Sequence, residues 1–87
     1  MISVIYGNPF LRSARKLSKK QREKLAKLLT ILRQNPFDKR LHTKHLSGPL
    51  AGLFSFRITR DWRVIFQFLS SDQIKLLDIG HRKDIYR

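Results

Sequence analysis

The sequence predicts a small α+β domain in the order β-α-α-β-β-β, with two N-terminal helices packed on one face of a mostly antiparallel sheet. Three observations point there. A short β-branched run opens the chain, a capped helical stretch with a single leucine stripe follows, and closely spaced strand patterns joined by short polar turns close it. At 87 residues the chain reads as one domain, 1–87, with no linker or internal repeat. A domain of this length buries only roughly 60 to 70 % of the surface its unfolded chain exposes, so it builds one modest core. Its hydrophobic content of 41 % is that of a folding globular chain rather than a disordered one.

Each element has a local reason. "ISVIY", residues 2 to 6, suits a strand, and Gly7 breaks it. Asn8 and Pro9 then read as N-cap and first turn of a helix running from about Pro9 to Lys16. Ser18 followed three residues later by Gln21 makes a capping box, with Leu17 placed as a hydrophobic staple. In the second helix Leu25, Leu28, Leu29 and Leu32 fall on one stripe, and Asn35-Pro36 ends it. Residues 37 to 52 read as irregular. In "FSFRIT" Phe54, Phe56 and Ile58 alternate with Ser55, Arg57 and Thr59, and in "WRVIFQF" Trp62, Val64, Phe66 and Phe68 alternate with Arg63, Ile65 and Gln67. The turn "TRD" joins these two as a hairpin, and "SSD" leads into the last strand, "QIKLLDIG". One sheet face is thus apolar, while the other carries arginine and stays partly open.

Charge narrows the function. Nineteen Lys and Arg against six Asp and Glu give a formal net charge of +13. Self-repulsion on that scale is most simply explained by a polyanionic partner: nucleic acid first, an anionic membrane surface second, an acidic protein third. Arg12, Arg15, Lys16, Lys19, Lys20, Arg22, Lys24 and Lys27 form a basic field on the outer faces of the two helices, with Glu23 alone to balance it. The lack of cysteine excludes a disulfide framework and thiolate metal sites and suits a reducing compartment. The opening lacks the pattern of a signal peptide and nowhere do 18 apolar residues run together, so the expectation is a cytoplasmic protein without a membrane partner.

The residues that can carry chemistry are few. Arg57 and Arg63 project from strands on the face opposite the aromatic set, and Arg82 follows the last strand. Each alone reads as a solvated surface residue. Converging over one sheet face, the three become planar forks of donors suited to phosphate oxygens. Tyr86 either packs back on the sheet or stacks on a base and handles a proton; His81 is either a general acid or base or a solvated bystander. His42 and His45 are spaced for a metal, but no cysteine or carboxylate pair completes a ligand set, and no cofactor motif is present. The isolated Asp61 and Asp78 do not suggest a carboxylate-held metal nuclease.

The strand order, "LSGPLAGLFSFRITRDWRVIFQF" in the centre and "LLDIGHRKDIYR" at the end resemble the RelE branch of the RelE/ParE superfamily, the toxins of type II toxin-antitoxin pairs. The resemblance covers nearly the whole chain and is closest from Leu46 to Arg87. It implies a ribosome-dependent mRNA endoribonuclease that cuts messenger RNA in the ribosomal A site without a metal or other cofactor. In that reaction the ribose 2′-hydroxyl attacks the adjacent phosphate and leaves a 2′,3′-cyclic phosphate. By motif it implies catalytic roles for Arg57, Arg63, Arg82 and Tyr86, and the fifth catalytic candidate, His81, sits beside the position that holds a catalytic histidine in some relatives. Ser55 stands where the family prototype carries lysine and Trp62 where tyrosine is usual, while Arg82 occupies the position of a catalytic histidine in some relatives. The implied partners are a cognate antitoxin protein, the ribosome with its mRNA, and operator DNA reached only through the antitoxin. Two other functions fit the fold and charge: a non-enzymatic ParE-like toxin that poisons DNA gyrase, and a basic RNA-binding module without turnover.

Overall fold

The computed structural model describes residues 1–85 of the chain. Strand β1 (Ser3–Tyr6) lies at one edge of a five-stranded sheet and runs parallel to β5 (Gln73–His81), from Ser3 opposite Gln73 to Tyr6 opposite Leu76. Gly7 ends it in extended backbone, its N–H donating to the Leu76 carbonyl at 2.9 Å. A Cβ on Gly7 would stand 2.6 Å from that same oxygen, so the close approach of this backbone to β5 requires glycine.

Helix α1 (Asn8–Ala14) corrects the sequence reading at its start. The N-cap is Gly7 and not Asn8, which is already helical, because β5 holds Gly7 extended and its carbonyl takes the first helical N–H, from Leu11, at 3.0 Å. Pro9 sits in the first turn as expected. The helix stops at Ala14, two residues before Lys16, where Lys16 and Leu17 N–H groups turn back to the Ser13 and Ala14 carbonyls and aim Leu17 into the core.

In α2 (Lys19–Gln34) the capping box forms as expected: Ser18 Oγ accepts from the Gln21 N–H and the Gln21 side chain accepts from the Ser18 N–H, each at 3.1 Å. Leu25, Leu28, Leu29 and Leu32 are buried along one side. The segment read as irregular contains a single 3₁₀ turn (Lys39–Leu41), a two-residue strand β2 (Lys44–His45) and a second 3₁₀ turn (Gly48–Leu50). None is long enough to show a period; buried Leu41 and Leu46 pin the segment to the domain.

Strands β3 (Phe54–Arg57), β4 (Trp62–Ser70) and β5 form the antiparallel meander, and β2 extends it on the far side of β3. The sheet order is β1-β5-β4-β3-β2. A short helix not expected from the sequence, α3 (Arg82–Ile85), folds back so that Ile85 carbons lie 3.2 Å from where a Cβ on Gly80 would be. Gly80 therefore leaves the space that Ile85 fills.

The helices cover one sheet face, burying Phe10, Leu28, Leu32, Phe56, Val64, Phe66, Ile74 and Leu76 in one cluster. Burying one such large side chain stabilises the fold by about 1.5 to 3 kcal/mol. The opposite face is covered in its middle: Ser55, Arg63 and Ile65 are all buried. Among the described residues no helix is long and apolar enough to cross a membrane.

Candidate active site: an arginine cleft at the hairpin end

The β3–β4 hairpin sets up the site. Its register pairs Phe54 with Phe66, Ser55 with Ile65, Phe56 with Val64 and Arg57 with Arg63. Even-numbered residues of both strands face the helices, so Arg57 and Arg63 emerge side by side on the other face. Directly opposed like charges destabilise a strand pair. On its other side Arg63 is opposite Gly80, which has no side chain to shield it.

Arg57 and Arg63 line a cleft of about 420 Å³ together with Lys24 from α2, Arg40 and His42 from the first 3₁₀ turn, Ile58, Thr59 and Arg60 from the hairpin loop, and Arg82 from α3. No carboxylate lines it among the described residues. Two of its cations have carboxylate partners set back from the walls. Arg40 binds Asp38 through Nε at 2.9 Å and an Nη at 3.0 Å. These bonds, with the Arg40 N–H, bring the Asp38 carboxyl down to about 2 from 3.8 and raise the Arg40 guanidinium. Arg82 Nε lies 3.4 Å from Asp61 Oδ1, and its backbone N–H donates to the Asp61 carbonyl at 2.7 Å, tying the start of α3 to the hairpin loop.

Among the described residues Arg57 and Arg63 have no such partner. Arg63, 9 % exposed, donates from one Nη to the Arg60 carbonyl at 3.1 Å. Among the described residues, the buried side-chain nitrogen and oxygen atoms without a hydrogen-bond partner are the Nε atoms of these two arginines. A buried donor left unmade costs about 1 to 3 kcal/mol, more when charged. Two adjacent guanidiniums lining one cleft offer planar donor forks of the kind that suit a tetrahedral oxyanion such as a phosphodiester.

The structure brings together three of the residues singled out from the sequence, Arg57, Arg63 and Arg82. It takes His81 elsewhere. His81 is still in β5, opposite Trp62, so it shares the Trp62 face: its ring packs edge-on against that indole at 5.6 Å and Nδ1 accepts the Lys83 N–H at 3.1 Å. It is not among the residues lining the cleft. Tyr86 lies outside the described residues. Of the two other histidines, His42 lines the cleft, whereas the His45 ring packs at a tilt against Phe54 with centroids 4.9 Å apart. The sequence reading missed Arg40 and Arg60, which lie in a non-periodic segment and a hairpin loop, and it treated Lys24 only as part of the helix field. Asp78 accepts from Ser13 Oγ at 2.8 Å, anchoring α1 to β5 away from the site.

Comparison with known proteins accords with this architecture. The fold matches YafQ of E. coli strain BL21(DE3) with a TM-score of 0.80 at 19 % identity, over 100 % of both chains. It matches a chain of the archaeal RelE–RelB complex from Pyrococcus horikoshii OT3 with a TM-score of 0.78 at 22 % identity, over 95 % of this chain and 97 % of that one. The RelBE2 toxin-antitoxin complex of Mycobacterium tuberculosis gives 0.77 at 22 % identity, over 93 % and 98 %. No curated protein sequence matches the chain significantly. At the level of sequence families, the profile described as the ParE toxin of the type II toxin-antitoxin system parDE matches residues 4–86. With nearly every residue inside that match and the RelE-like fold around it, the chain belongs to the RelE/ParE superfamily of type II toxin-antitoxin toxins.

Proposed function

We propose that this toxin is a ribosome-dependent mRNA endoribonuclease that cleaves by attack of the ribose 2′-hydroxyl on the adjacent phosphate. The observation that carries the reading is the Arg57–Arg63 cross-strand pair, one guanidinium half-buried and one buried, whose buried Nε donors have no partner among the described residues. RNA supplies its own nucleophile, so the protein's work is to hold the strand, stabilise the added negative charge on the phosphorus oxygens and move protons. Arg57 and Arg63 grip the non-bridging oxygens, where charge grows as the P–O2′ bond forms and the P–O5′ bond breaks. Arg82, held by Asp61 at the mouth, steers the flanking backbone, and Lys24 and Arg60 add field without specific geometry. Tyr86 keeps the catalytic role implied by the family resemblance.

The partner that restrains the toxin is a cognate antitoxin. Solved relatives support this, being complexes of RelE with RelB and of YoeB with YefM. The broader family description, which takes in ParE, favours as a second reading a toxin that poisons DNA gyrase. One experiment separates them. After induction, primer extension on translated transcripts and end-group analysis run beside a supercoiling assay. The nuclease reading expects cuts confined to translated messages, with 2′,3′-cyclic phosphate ends and intact gyrase activity. Intact messages in arrested cells sink it, and inhibited supercoiling selects the second reading.

A further inference from the structure

We infer that His42 is the general base of the cleft, the group that takes the proton from the attacking 2′-hydroxyl; this rests on the nuclease reading above. The reaction needs a proton acceptor beside the arginines, and the walls of the cleft offer almost none. Lys24 from α2, Arg40 from the 3₁₀ turn, Arg57 from β3, Arg60 from the hairpin loop, Arg63 from β4 and Arg82 from α3 are all cations with donors only. The carboxylates behind them are engaged, Asp38 with Arg40 and Asp61 with Arg82. The Thr59 hydroxyl accepts the Trp62 N–H and is far too weak a base. Ile58 has no polar group. His42 is left as the one described wall residue whose neutral side chain offers a nitrogen lone pair that can accept a proton.

Its backbone supports a functional reason for the imidazole. His42 is the C-cap of the 3₁₀ turn with φ 50° and ψ 44°, and among the described residues it is the non-glycine residue with positive φ. Glycine takes this left-handed conformation without cost. The preceding Leu41 is fully buried and the His42 N–H is bonded to the Lys39 carbonyl, so the turn is fixed and presents an exposed side chain to the cleft. Strain kept at a polar residue on the wall of a site is a recurrent mark of function. His81, by contrast, already has its Nδ1 occupied.

The step balances. The O2′–H bond breaks and its proton passes to the imidazole; P–O2′ forms and P–O5′ breaks; the leaving 5′-oxygen takes a proton from water, and the hydroxide so formed removes the proton from His42. No net proton is consumed.

The test uses the full chain on translating ribosomes, with His42→Gly and His42→Gln. Both variants should keep the wild-type thermal midpoint, the glycine variant matching or exceeding it. Losing a general base costs about 100-fold or more in cleavage rate. Added imidazole should restore His42→Gly by about tenfold or more, and leave His42→Gln, whose side chain fills the space, unrestored. Cleavage by His42→Gly within about threefold of wild type, or loss without imidazole rescue in a folded variant, overturns the assignment. If wild type itself makes no cut, the nuclease reading fails first, and the supercoiling assay identifies that case.

Discussion

Two basic regions occupy this small toxin, and they differ in enclosure rather than in charge. Along α1, α2 and the turn between them, Arg12, Arg15, Lys16, Lys19, Lys20, Arg22, Lys24 and Lys27 are all exposed. Each is hydrated and free to reorient, and such a surface attracts polyanions without fixing any one atom of them. In the cleft, Arg63 is buried, Arg57 is half-buried, the two are cross-strand neighbours, and both have buried Nε donors without a partner among the described residues. There the protein has already met the cost of desolvation and like-charge repulsion, and an anion that arrives relieves both. On the proposed nuclease reading, the helix face gathers RNA and the cleft holds one phosphate of it.

Several substitutions break or sharpen this contrast. The largest effect is expected from Arg63→Met, which removes the charge and keeps most of the volume. Losing one charge stabiliser from a transition state slows reaction about 100 to 1000-fold. The thermal midpoint should hold or rise, because an unsatisfied buried donor and an opposed like charge are removed together. Phe66→Ala, three residues along the same strand but on the helix face, should also abolish toxicity, by unfolding: truncating a buried phenylalanine costs about 3 to 5 kcal/mol, much of the stability of so small a domain. Melting curves that place the two variants together would show Arg63 to be structural and erase the distinction between faces.

Gly80→Val tests the cleft's outer wall. Its added carbons meet Ile85 at 3.2 Å, so α3 must shift and take Arg82 with it. Cleavage should fall while far-UV circular dichroism stays unchanged; an unaffected rate would mean that the position of α3 does not matter. On the helix face, neutralising Lys19, Lys20 and Arg22 together should weaken ribosome binding and flatten its salt dependence by about 2 in log-log slope, at about 0.7 per phosphate contact on a single strand. An unchanged slope would assign that field to another partner. The smallest effect belongs to Asp38→Asn. Asp38 has its pKa lowered in the folded protein to about 2, so its stabilising contribution is present above the unfolded value and lost as pH falls from about 4 through 2. The midpoint difference between wild type and the variant should therefore be small at neutral pH and disappear in acid.

What was legible in the sequence is what has a period or a local signature. Leu25, Leu28, Leu29 and Leu32 could only be one buried stripe, Ser18 and Gln21 announced a helix start, and the alternation through "FSFR" and "WRVIF" put Arg57 and Arg63 on a shared face. What was not legible depends on contacts between distant segments. Asn8 lost the capping role to Gly7 because β5, seventy residues away in sequence by roughly that count, fixes the Gly7 backbone. His81 looked like a neighbour of Arg82, but β5 continues through it and turns its ring to Trp62. Arg40, Arg60 and His42 come from a short turn and a loop, where no periodicity states which way a side chain faces, and the cleft exists only once α2, the hairpin and α3 meet.

The most direct test of the enclosed-arginine account is a side-by-side measurement of the single-turnover cleavage rate on translating ribosomes, at saturating toxin, for Arg63→Met and for the Lys19, Lys20, Arg22 triple neutralisation. Saturation removes the gathering role of the helix face and leaves the chemistry. The account predicts a loss of about 100-fold or more for Arg63→Met and a rate within about threefold of wild type for the triple variant. Equal losses in the two, or wild-type cleavage by Arg63→Met, would contradict it.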